Sequence, residues 1–201
     1  MLISARDLGK RYNREWIFRH FNYEFLPGGH YAITGSNGSG KSTLLQVLAG
    51  SVMHSEGLIE YTNEAKIIEA PFSYLSVAAP YLELIEEMTA AEFLKFHQVF
   101  KPSKKPIKEV LTEVGLASAA TKQIRYYSSG MKQRLKMAQA FFCRSPVLLL
   151  DEPTTNLDMD GIALYHHLIH TYAQEKLVIV SSNDPQEYNF CKEVIAISEY
   201  K

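Results

Sequence analysis

The chain has 201 residues, a formal net charge of −1 and a hydrophobic content of 46%. This length and composition allow a substantial buried core in one domain, with room for an inserted lobe. The evenly mixed charges exclude a broad basic surface, so no nucleic-acid partner is expected, and the chain has no run of about eighteen apolar residues that would cross a membrane. Cys143 and Cys191 are far apart in apolar stretches, which favours buried, reduced thiols of an intracellular protein.

The first part of the chain predicts strands, then a loop and a helix. Leu2–Arg6 and Trp16–Phe25 have strand-like composition and precede a turn at Pro27–Gly29. Tyr31–Thr34 is a short apolar strand. The segment Lys41–Gly50 opens as a helix that its last glycine is expected to end.

Between that strand and helix lies a complete phosphate-binding loop of the form G-x-x-x-x-G-K-[ST]. Its glycines let backbone N–H groups approach a polyphosphate, and the following helix N-terminus attracts anions. Lys41 adds a positive charge for the β- and γ-phosphates, and the Ser42 hydroxyl is placed to bind Mg²⁺. The alternative is a glycine-rich turn that binds nothing. We predict nucleotide binding by the loop residues Gly35, Ser36, Asn37, Gly38, Ser39, Gly40, Lys41, Ser42 and Thr43.

The middle of the chain predicts a hairpin, a further strand and two helices. Gly57–Tyr61 and Lys66–Glu69 have the composition of paired strands, and Phe72–Val77 is a strand-like run between prolines. Ala90–Val99 and Ile107–Val114 have the apolar spacing of helices, and a glycine follows the second.

The last part of the chain predicts a parallel sheet. Val147–Leu150 and Leu177–Val180 are continuous apolar runs, typical of strands buried on both faces. A helix over Asp160–Gln174 separates them, and Val194–Ile197 is the last predicted strand. The whole pattern predicts an α/β fold in which a parallel sheet carries the phosphate-binding loop, with an inserted α-helical subdomain. We expect a single domain over 1–201, with the core at 1–84 and 146–201 and the helical subdomain at about 85–145.

Two carboxylates, Asp151 and Glu152, directly follow the first buried run. Ligands of parallel α/β sheets bind at the carboxyl ends of the strands, so these acids are candidates for the same site as the loop. Asp151 suits a Mg²⁺ ligand, and Glu152 suits a general base that activates water. Alone, an Asp-Glu pair is a weak signal, and a solvated strand end is the alternative.

Two further segments, Tyr127–Arg134 and Pro153–Asp158, stand on either side of that buried run. With the loop and the acids, they resemble the motifs of the ATP-binding cassette (ABC) ATPases. Tyr127–Met131 resembles the family signature L-S-G-G-Q, with Tyr for Leu, Ser for the first Gly and Met for Gln. Pro153–Asp158 resembles the family's D-loop. The four motifs occur in the family's order, and the resemblance covers essentially the whole chain. The resemblance implies a P-loop NTPase fold with a RecA-like parallel core sheet, an N-terminal antiparallel β part and an inserted α-helical subdomain.

The resemblance implies an ATP-dependent dimer. In the family, the signature surface meets the γ-phosphate held by another cassette's loop, so two cassettes enclose two ATP molecules head to tail. A second copy of this chain is therefore the expected partner. The residues expected to contact nucleotide through the signature and the D-loop are Ser128, Ser129, Gly130 and Asp158. A helix cap alone would also explain Ser128 and Ser129.

Three positions concern the adenine and the chemical step. Tyr12, or less favourably Trp16, lies where the family has an aromatic that stacks on adenine; the alternative is a half-buried strand aromatic. Val77 stands where the family has a glutamine, and Asn183 where it has a histidine. The Asn183 amide can donate a hydrogen bond to a phosphate oxygen, but it cannot carry a proton or a positive charge. The resemblance implies an ATPase with catalytic Glu152, Lys41 and Asn183, at a modestly reduced rate.

A single cassette without a membrane span resembles the separate ATP-binding subunit of a transporter. Its expected partners are integral membrane subunits, which would hold a cytoplasmic protein peripherally on the inner face of the membrane. Tyr81–Met88 and the next helix lie where family cassettes receive those subunits. Two alternatives remain open: a soluble, cluster-assembly-like ABC ATPase, and a weakly hydrolysing nucleotide sensor, which Val77 and Asn183 favour.

Overall fold

The computed structural model describes the whole chain, Met1–Lys201, as two β-sheets with helices packed against them. The strands are β1 (Leu2–Tyr12), β2 (Glu15–Phe25), β3 (His30–Thr34), β4 (Glu56–Asn63), β5 (Lys66–Ile67), β6 (Leu75–Ala78), β7 (Val147–Asp151), β8 (Leu177–Ser181) and β9 (Glu193–Ala196). The α-helices are α1 (Lys41–Leu48), α2 (Ala90–Phe100), α3 (Ile107–Glu113), α4 (Ser129–Phe141), α5 (Met159–Tyr172) and α6 (Pro185–Tyr188). The predicted α/β fold, with a parallel core sheet and an N-terminal antiparallel part, is confirmed.

The parallel sheet gathers the predicted site residues at one edge. Its strand order is β6-β7-β8-β3-β9, whereas the antiparallel sheet has the order β2-β1-β4-β5. Asp151 pairs with Ser181, and Ile33 pairs with Ser181 on the other side of β8. Because the strands run the same way, the segments that follow β3, β6, β7 and β8 all leave from the same edge.

Alternate residues of β7 face opposite layers of the molecule. Leu148 and Leu150 pack in one hydrophobic cluster with residues of α2, α4 and α5. Val147 and Leu149 pack in a second cluster with residues of α1, β1 and β2. The sheet is therefore covered on both faces, which explains why β7 is apolar up to its last residue, Asp151.

Three strands show how the boundaries differ from the sequence prediction. Pro71–Ser73 forms a 3-10 turn and β6 begins only at Leu75, because the fixed φ of proline suits the first position of a turn. β1 continues to Tyr12, since it pairs with β2 on one side and with β4 on the other. The predicted strand at 66–69 retains only the two paired residues of β5.

Glu113, the last residue of α3, anchors the helical segment to α5. Lys105 Nζ donates to Glu113 Oε2 at 2.6 Å, and the Tyr172 hydroxyl donates to Oε1 at 2.6 Å. His167 Nε2 lies 3.1 Å from the same Oε1. Burial alone would raise the pKa of Glu113, but these hydrogen bonds hold it at about 2. The ionised carboxylate thus joins three elements, while the division into core and helical subdomain stays a prediction.

No helix in the fold is both long enough and apolar enough to cross a bilayer. The two cysteines are free thiols; Cys143 is buried, and Cys191 is only partly buried.

Candidate nucleotide-binding site

The loop between β3 and α1 closes tightly because glycine occupies its last position. Gly40 caps α1 with a φ of 102°, in the left-handed region that glycine adopts without strain. A Cβ atom built there would lie 2.5 Å from Ile17 Cγ2 on β2. The antiparallel sheet therefore supports the loop from behind, and a larger residue at position 40 would push the two apart.

Lys41, the first residue of α1, folds against the loop. Its Nζ donates to the carbonyl oxygens of Gly35 at 2.9 Å and Ser36 at 3.2 Å. The residue is only 4% exposed, so its positive charge is held on the inner side of the loop. A fixed charge beside a helix N-terminus is suited to binding phosphate.

One buried carboxylate oxygen of Asp151 has no hydrogen-bond donor in the chain. The residue is 2% exposed, and its Oδ1 has no hydrogen-bond partner. Burial raises the pKa of Asp151, while the Ser42 hydroxyl and the charge of Lys41 act in the opposite direction. Unsatisfied buried carboxylate oxygens are costly unless an ion or water binds them. Asp151 and the nearby Ser42 therefore have the donor chemistry that Mg²⁺ requires.

No group of three or more histidine, cysteine or carboxylate side chains is arranged to hold a metal. Mg²⁺ at a nucleotide site takes only one or two protein ligands, and phosphate oxygens and water complete its shell. Ser42 and Asp151 have the right chemistry for such a sparse site.

Glu152 has an unusual backbone at the end of β7. Its φ is 41°, in the left-handed region, and its N–H donates to the Ser181 carbonyl oxygen at 2.9 Å. Such conformations cost free energy for a non-glycine residue and cluster at functional sites. The bend turns the Glu152 side chain away from the covered sheet towards the loop.

Two polar cavities meet at Glu152. One, of about 210 Å³, is lined by the phosphate-binding loop with Ile17 and Glu152. The other, of about 300 Å³, has no hydrophobic lining residue and includes Glu152, Thr154, Asn183 and Glu187. Asn37 and Glu152 line both cavities, so the two cavities lie side by side along the sheet edge, and we refer to them together as the groove. The structure thus brings together the loop, Glu152 and Asn183, as the sequence predicted.

Asn183 is linked directly to the loop. Its Nδ2 donates to Asn37 Oδ1 at 2.8 Å. The side chain is exposed to the groove, where the amide can instead donate to an oxygen of a bound phosphate. Asn183 therefore supplies a donor, but not a titrating charge, at the far end of the groove.

The signature residues lie outside this groove within one chain. Ser128 caps α4, and its Oγ accepts the Met131 N–H at 3.2 Å. A Cβ atom at Gly130 would lie 3.1 Å from the Asn156 carbonyl oxygen, so the signature packs against the loop that follows the acids. Ser128 and Ser129 are exposed, and Gly130 is partly buried. The helix-cap interpretation of Ser128 is therefore correct, and its contact with nucleotide stays a prediction.

Asp158 also has a local role. Its Oδ1 accepts the Gly161 N–H at 2.9 Å as the N-cap of α5, and Arg134 Nη2 donates to the same oxygen at 3.1 Å. It does not line the groove, so nucleotide contact by Asp158 stays a prediction as well.

The two candidate adenine-stacking residues differ in how free their rings are. Trp16 has the guanidinium carbons of Arg19 and Arg11 at 4.4 and 5.5 Å from its ring centroid. Tyr12, at the end of β1, is 48% exposed and has only Lys10 Nζ nearby, at 4.7 Å. Tyr12 therefore keeps the more accessible ring.

Val77 lies within β6 and pairs with Leu149, so it brings no oxygen donor to the sheet edge. Tyr81, three residues beyond β6, is 43% exposed and lines neither cavity. Partial burial, with the charge of Asp151 adding to it, raises the pKa of Tyr81 to about 12.

Comparison with known proteins agrees with this site. The family model described as "ABC transporter" matches residues 18–155. The chain is 32% identical over 194 residues to the uncharacterized ABC transporter ATP-binding protein YybJ of Bacillus subtilis, covering 92% of this chain and 87% of the relative. It is 33% identical over 185 residues to the bacitracin transport ATP-binding protein BcrA of Bacillus licheniformis, covering 89% of this chain and 60% of that protein.

Solved structures share the fold. A putative ABC transporter ATP-binding protein from Pyrococcus furiosus superposes with a TM-score of 0.83 at 18% identity over the full length of both chains. The dimeric ATP-binding cassette MJ0796, bound to ADP and Pi, superposes with a TM-score of 0.84 at 20% identity, covering 96% of this chain and 93% of that one. The family match over residues 18–155, together with the relative at 32% identity, establishes that the chain belongs to the ABC transporter family.

Proposed function

We propose that this chain is the ATP-binding and ATP-hydrolysing subunit of an ABC transporter, and that it works as a dimer around two ATP molecules. The observation that carries the proposal is the groove of two adjoining cavities where the phosphate-binding loop, Glu152 and Asn183 meet. Its position at the carboxyl edge of a parallel sheet is typical of nucleotide sites.

In this proposal the residues Gly35–Thr43 hold the triphosphate with backbone N–H groups and the charge of Lys41. The unsatisfied Oδ1 of Asp151 and the hydroxyl of Ser42 support a Mg²⁺ site. Bound there, Mg²⁺ would neutralise charge on the phosphates. Tyr12 supports the adenine, since its ring is accessible beside the loop's supporting sheet.

For hydrolysis, Glu152 holds a water molecule and accepts its proton as the water attacks the γ-phosphate. Asn183 donates to a γ-phosphate oxygen, which stabilises the charge that develops there. Lys41 remains hydrogen-bonded to the phosphates throughout. Because Asn183 is neutral, it stabilises that charge less than a protonated histidine would, so the proposed reaction is modestly slow.

The second cassette completes the enclosure through Ser128, Ser129, Gly130 and Asp158. The exposure of Ser128 and Ser129, outside their own chain's groove, supports this arrangement. The first N–H groups of α4 have no partners within the helix and attract an anion. The description of MJ0796 as dimeric agrees with it.

The names of the relatives support a role in transport. Besides BcrA, they include a lantibiotic transport ATP-binding protein, SrtF, and a cytochrome c biogenesis ATP-binding export protein, CcmA. We therefore propose integral membrane partners and a peripheral position on the inner face of the membrane. We also propose the division into a core at 1–84 and 146–201 and a helical subdomain at about 85–145.

Capture from membranes tests the transport proposal. Affinity-tagged chain, recovered from detergent-solubilised membranes of its source cells, should bring integral membrane proteins with it and hydrolyse ATP in that complex. Recovery only with soluble proteins would instead support the cluster-assembly-like alternative. An intact membrane complex without measurable ATP turnover would support the nucleotide sensor, which the donor-free Val77 favours.

An Asn183→His variant is expected to hydrolyse ATP roughly two- to tenfold faster near pH 6, because a protonated imidazole adds positive charge beside the γ-phosphate. The gain should shrink as the pH rises past about 6.5, where histidine loses its proton. Steady-state turnover between pH 6 and 9 measures the effect. Asn189→His, an exposed position on the same segment outside the groove, is the matched control. A variant slower than the wild type at every pH would contradict the role given to Asn183.

A further inference from the structure

Glu187 is a buried carboxylate in the wall of the groove that the motifs do not explain. The residue is 3% exposed and lies in α6, four positions after Asn183. Its Oε1 accepts the Thr154 N–H at 2.7 Å and the Thr154 hydroxyl at 2.5 Å. The Tyr165 hydroxyl donates to the Glu187 carbonyl oxygen at 2.6 Å, which fixes this turn of chain on α5. Glu187 therefore accepts hydrogen bonds from both the backbone N–H and the hydroxyl of Thr154.

Thr154 belongs to the short segment that carries Glu152. Only Pro153 separates the two residues, and Glu152 itself is held at a φ of 41°. A left-handed glutamate persists only where its surroundings enforce it. Three contacts hold this segment: the bond from the Glu152 N–H to the Ser181 carbonyl oxygen, the bond from Gln133 Nε2 to the Pro153 carbonyl oxygen at 2.8 Å, and the double contact from Glu187.

The sequence around Glu187 favours a more local role. Asp184 caps α6, and a glutamate three residues after a cap commonly bonds back to the cap residue's N–H. Here Asp184 Oδ1 accepts the Gln186 N–H, and its own N–H donates to Ser182 Oγ at 2.9 Å. The Glu187 side chain is thus directed at Thr154 on a separate segment.

We infer that Glu187 is a positioning residue for ATP hydrolysis: by holding Thr154, it fixes the proposed base Glu152 relative to Asn183. The inference rests on the proposed function. The base follows β7 and the phosphate donor follows β8. Strand pairing and the bond from the Glu152 N–H to the Ser181 carbonyl oxygen fix where these two segments begin. Glu187 adds a side-chain contact further along, between Thr154 after β7 and the short helix α6 after Asn183.

The test compares Glu187→Ala, Glu187→Gln and Thr154→Val in the purified full-length chain. Glu187→Ala should lower kcat on the order of 10²-fold with ATP affinity unchanged, because a small misplacement of the base slows the reaction without affecting binding. Glu187→Gln keeps an acceptor oxygen for both Thr154 donors and should retain most of the turnover. Thr154→Val should lose less than Glu187→Ala, and adding it to Glu187→Ala should cost little more, since both remove the same contact.

Glu113→Ala is the matched control. It removes another carboxylate with several hydrogen bonds, on α3 and away from the groove. It should reduce the free energy of unfolding but leave kcat per folded molecule unchanged. Hydrogen exchange of the Thr154 amide supplies a second readout, which should become faster in Glu187→Ala alone.

The inference is overturned if kcat of Glu187→Ala stays within about twofold of the wild type. It is equally overturned if ATP affinity falls in step with kcat, or if Glu113→Ala loses as much turnover. A Glu187→Gln variant with a kcat as low as that of Glu187→Ala would also overturn it, because the charge of Glu187, and not its hydrogen bonds to Thr154, would then be what matters. If the wild type itself does not hydrolyse ATP, the proposed function fails, while exchange at Thr154 still shows whether Glu187 holds the segment.

Discussion

A Glu152→Gln variant should lose ATP turnover by about 10²- to 10⁴-fold and yet bind ATP as tightly as the wild type. Glutamine keeps the size of the side chain and its contacts, but it cannot accept the proton of an attacking water. Glu152 lines both halves of the groove, so no other carboxylate spans the loop and Asn183 in the same way. The loss should therefore lie almost entirely in kcat.

Because Glu152→Gln binds ATP but cannot hydrolyse it, this variant should accumulate as a dimer in saturating Mg·ATP. Size-exclusion chromatography with light scattering measures this directly. Asp160→Asn, which neutralises an exposed acid in the first turn of α5, is the control and should behave as the wild type does. Unchanged turnover in Glu152→Gln would remove Glu152 from the mechanism. A variant that remains monomeric in saturating nucleotide would contradict the dimer.

The sequence predicted most of the site because its signals are local. The glycine spacing of the loop reflects backbone geometry within nine residues, and the apolar runs of β7 and β8 reflect burial on both faces of one sheet. Parallel pairing then brings Asp151 and Ser181 level, which places the acids and Asn183 beside the loop. The order of the strands in the chain and their common direction are therefore sufficient to predict that these residues lie together.

Contacts between distant segments were not predictable in this way. Glu187 has the sequence context of a helix cap, and only the packing of α6 against the segment after β7 reveals its bond to Thr154. The predicted start of β6 was wrong for a different reason. Phe72 is apolar and so suggested a strand, but Pro71 begins a 3-10 turn that includes it.

The residues of the signature and the D-loop combine two roles, helix capping within their own chain and the proposed contact with nucleotide. Ser128 caps α4 and Asp158 caps α5, so each has a full structural explanation within its own chain. Both segments contact each other, since Gly130 packs on the Asn156 carbonyl oxygen. If a second cassette binds there, its nucleotide would meet both at once. The caps would then keep the surface rigid for that contact.

A Lys41→Ala variant should bind Mg·ATP at least about 10²-fold more weakly, equivalent to roughly 3 kcal/mol. The variant loses the charge that faces the β- and γ-phosphates, and it also loses the two hydrogen bonds that draw Gly35 and Ser36 inwards. Isothermal titration calorimetry with a slowly hydrolysed ATP analogue measures the affinity. Full-strength binding by this variant would contradict the assignment of the whole loop.

The control for Lys41→Ala is a second buried lysine with the same kind of contacts. Lys176 is 3% exposed, and its Nζ donates to the carbonyl oxygens of Phe141 at 3.2 Å and Cys143 at 3.1 Å, beside the start of β8. Lys176→Ala should lower the melting temperature, because two carbonyl groups lose a donor, but folded molecules should bind ATP normally. If both variants lost affinity equally, the loss would reflect general destabilisation. A loss confined to Lys41→Ala assigns it to the phosphates, because only Lys41 lies at the edge of the sheet where the groove opens.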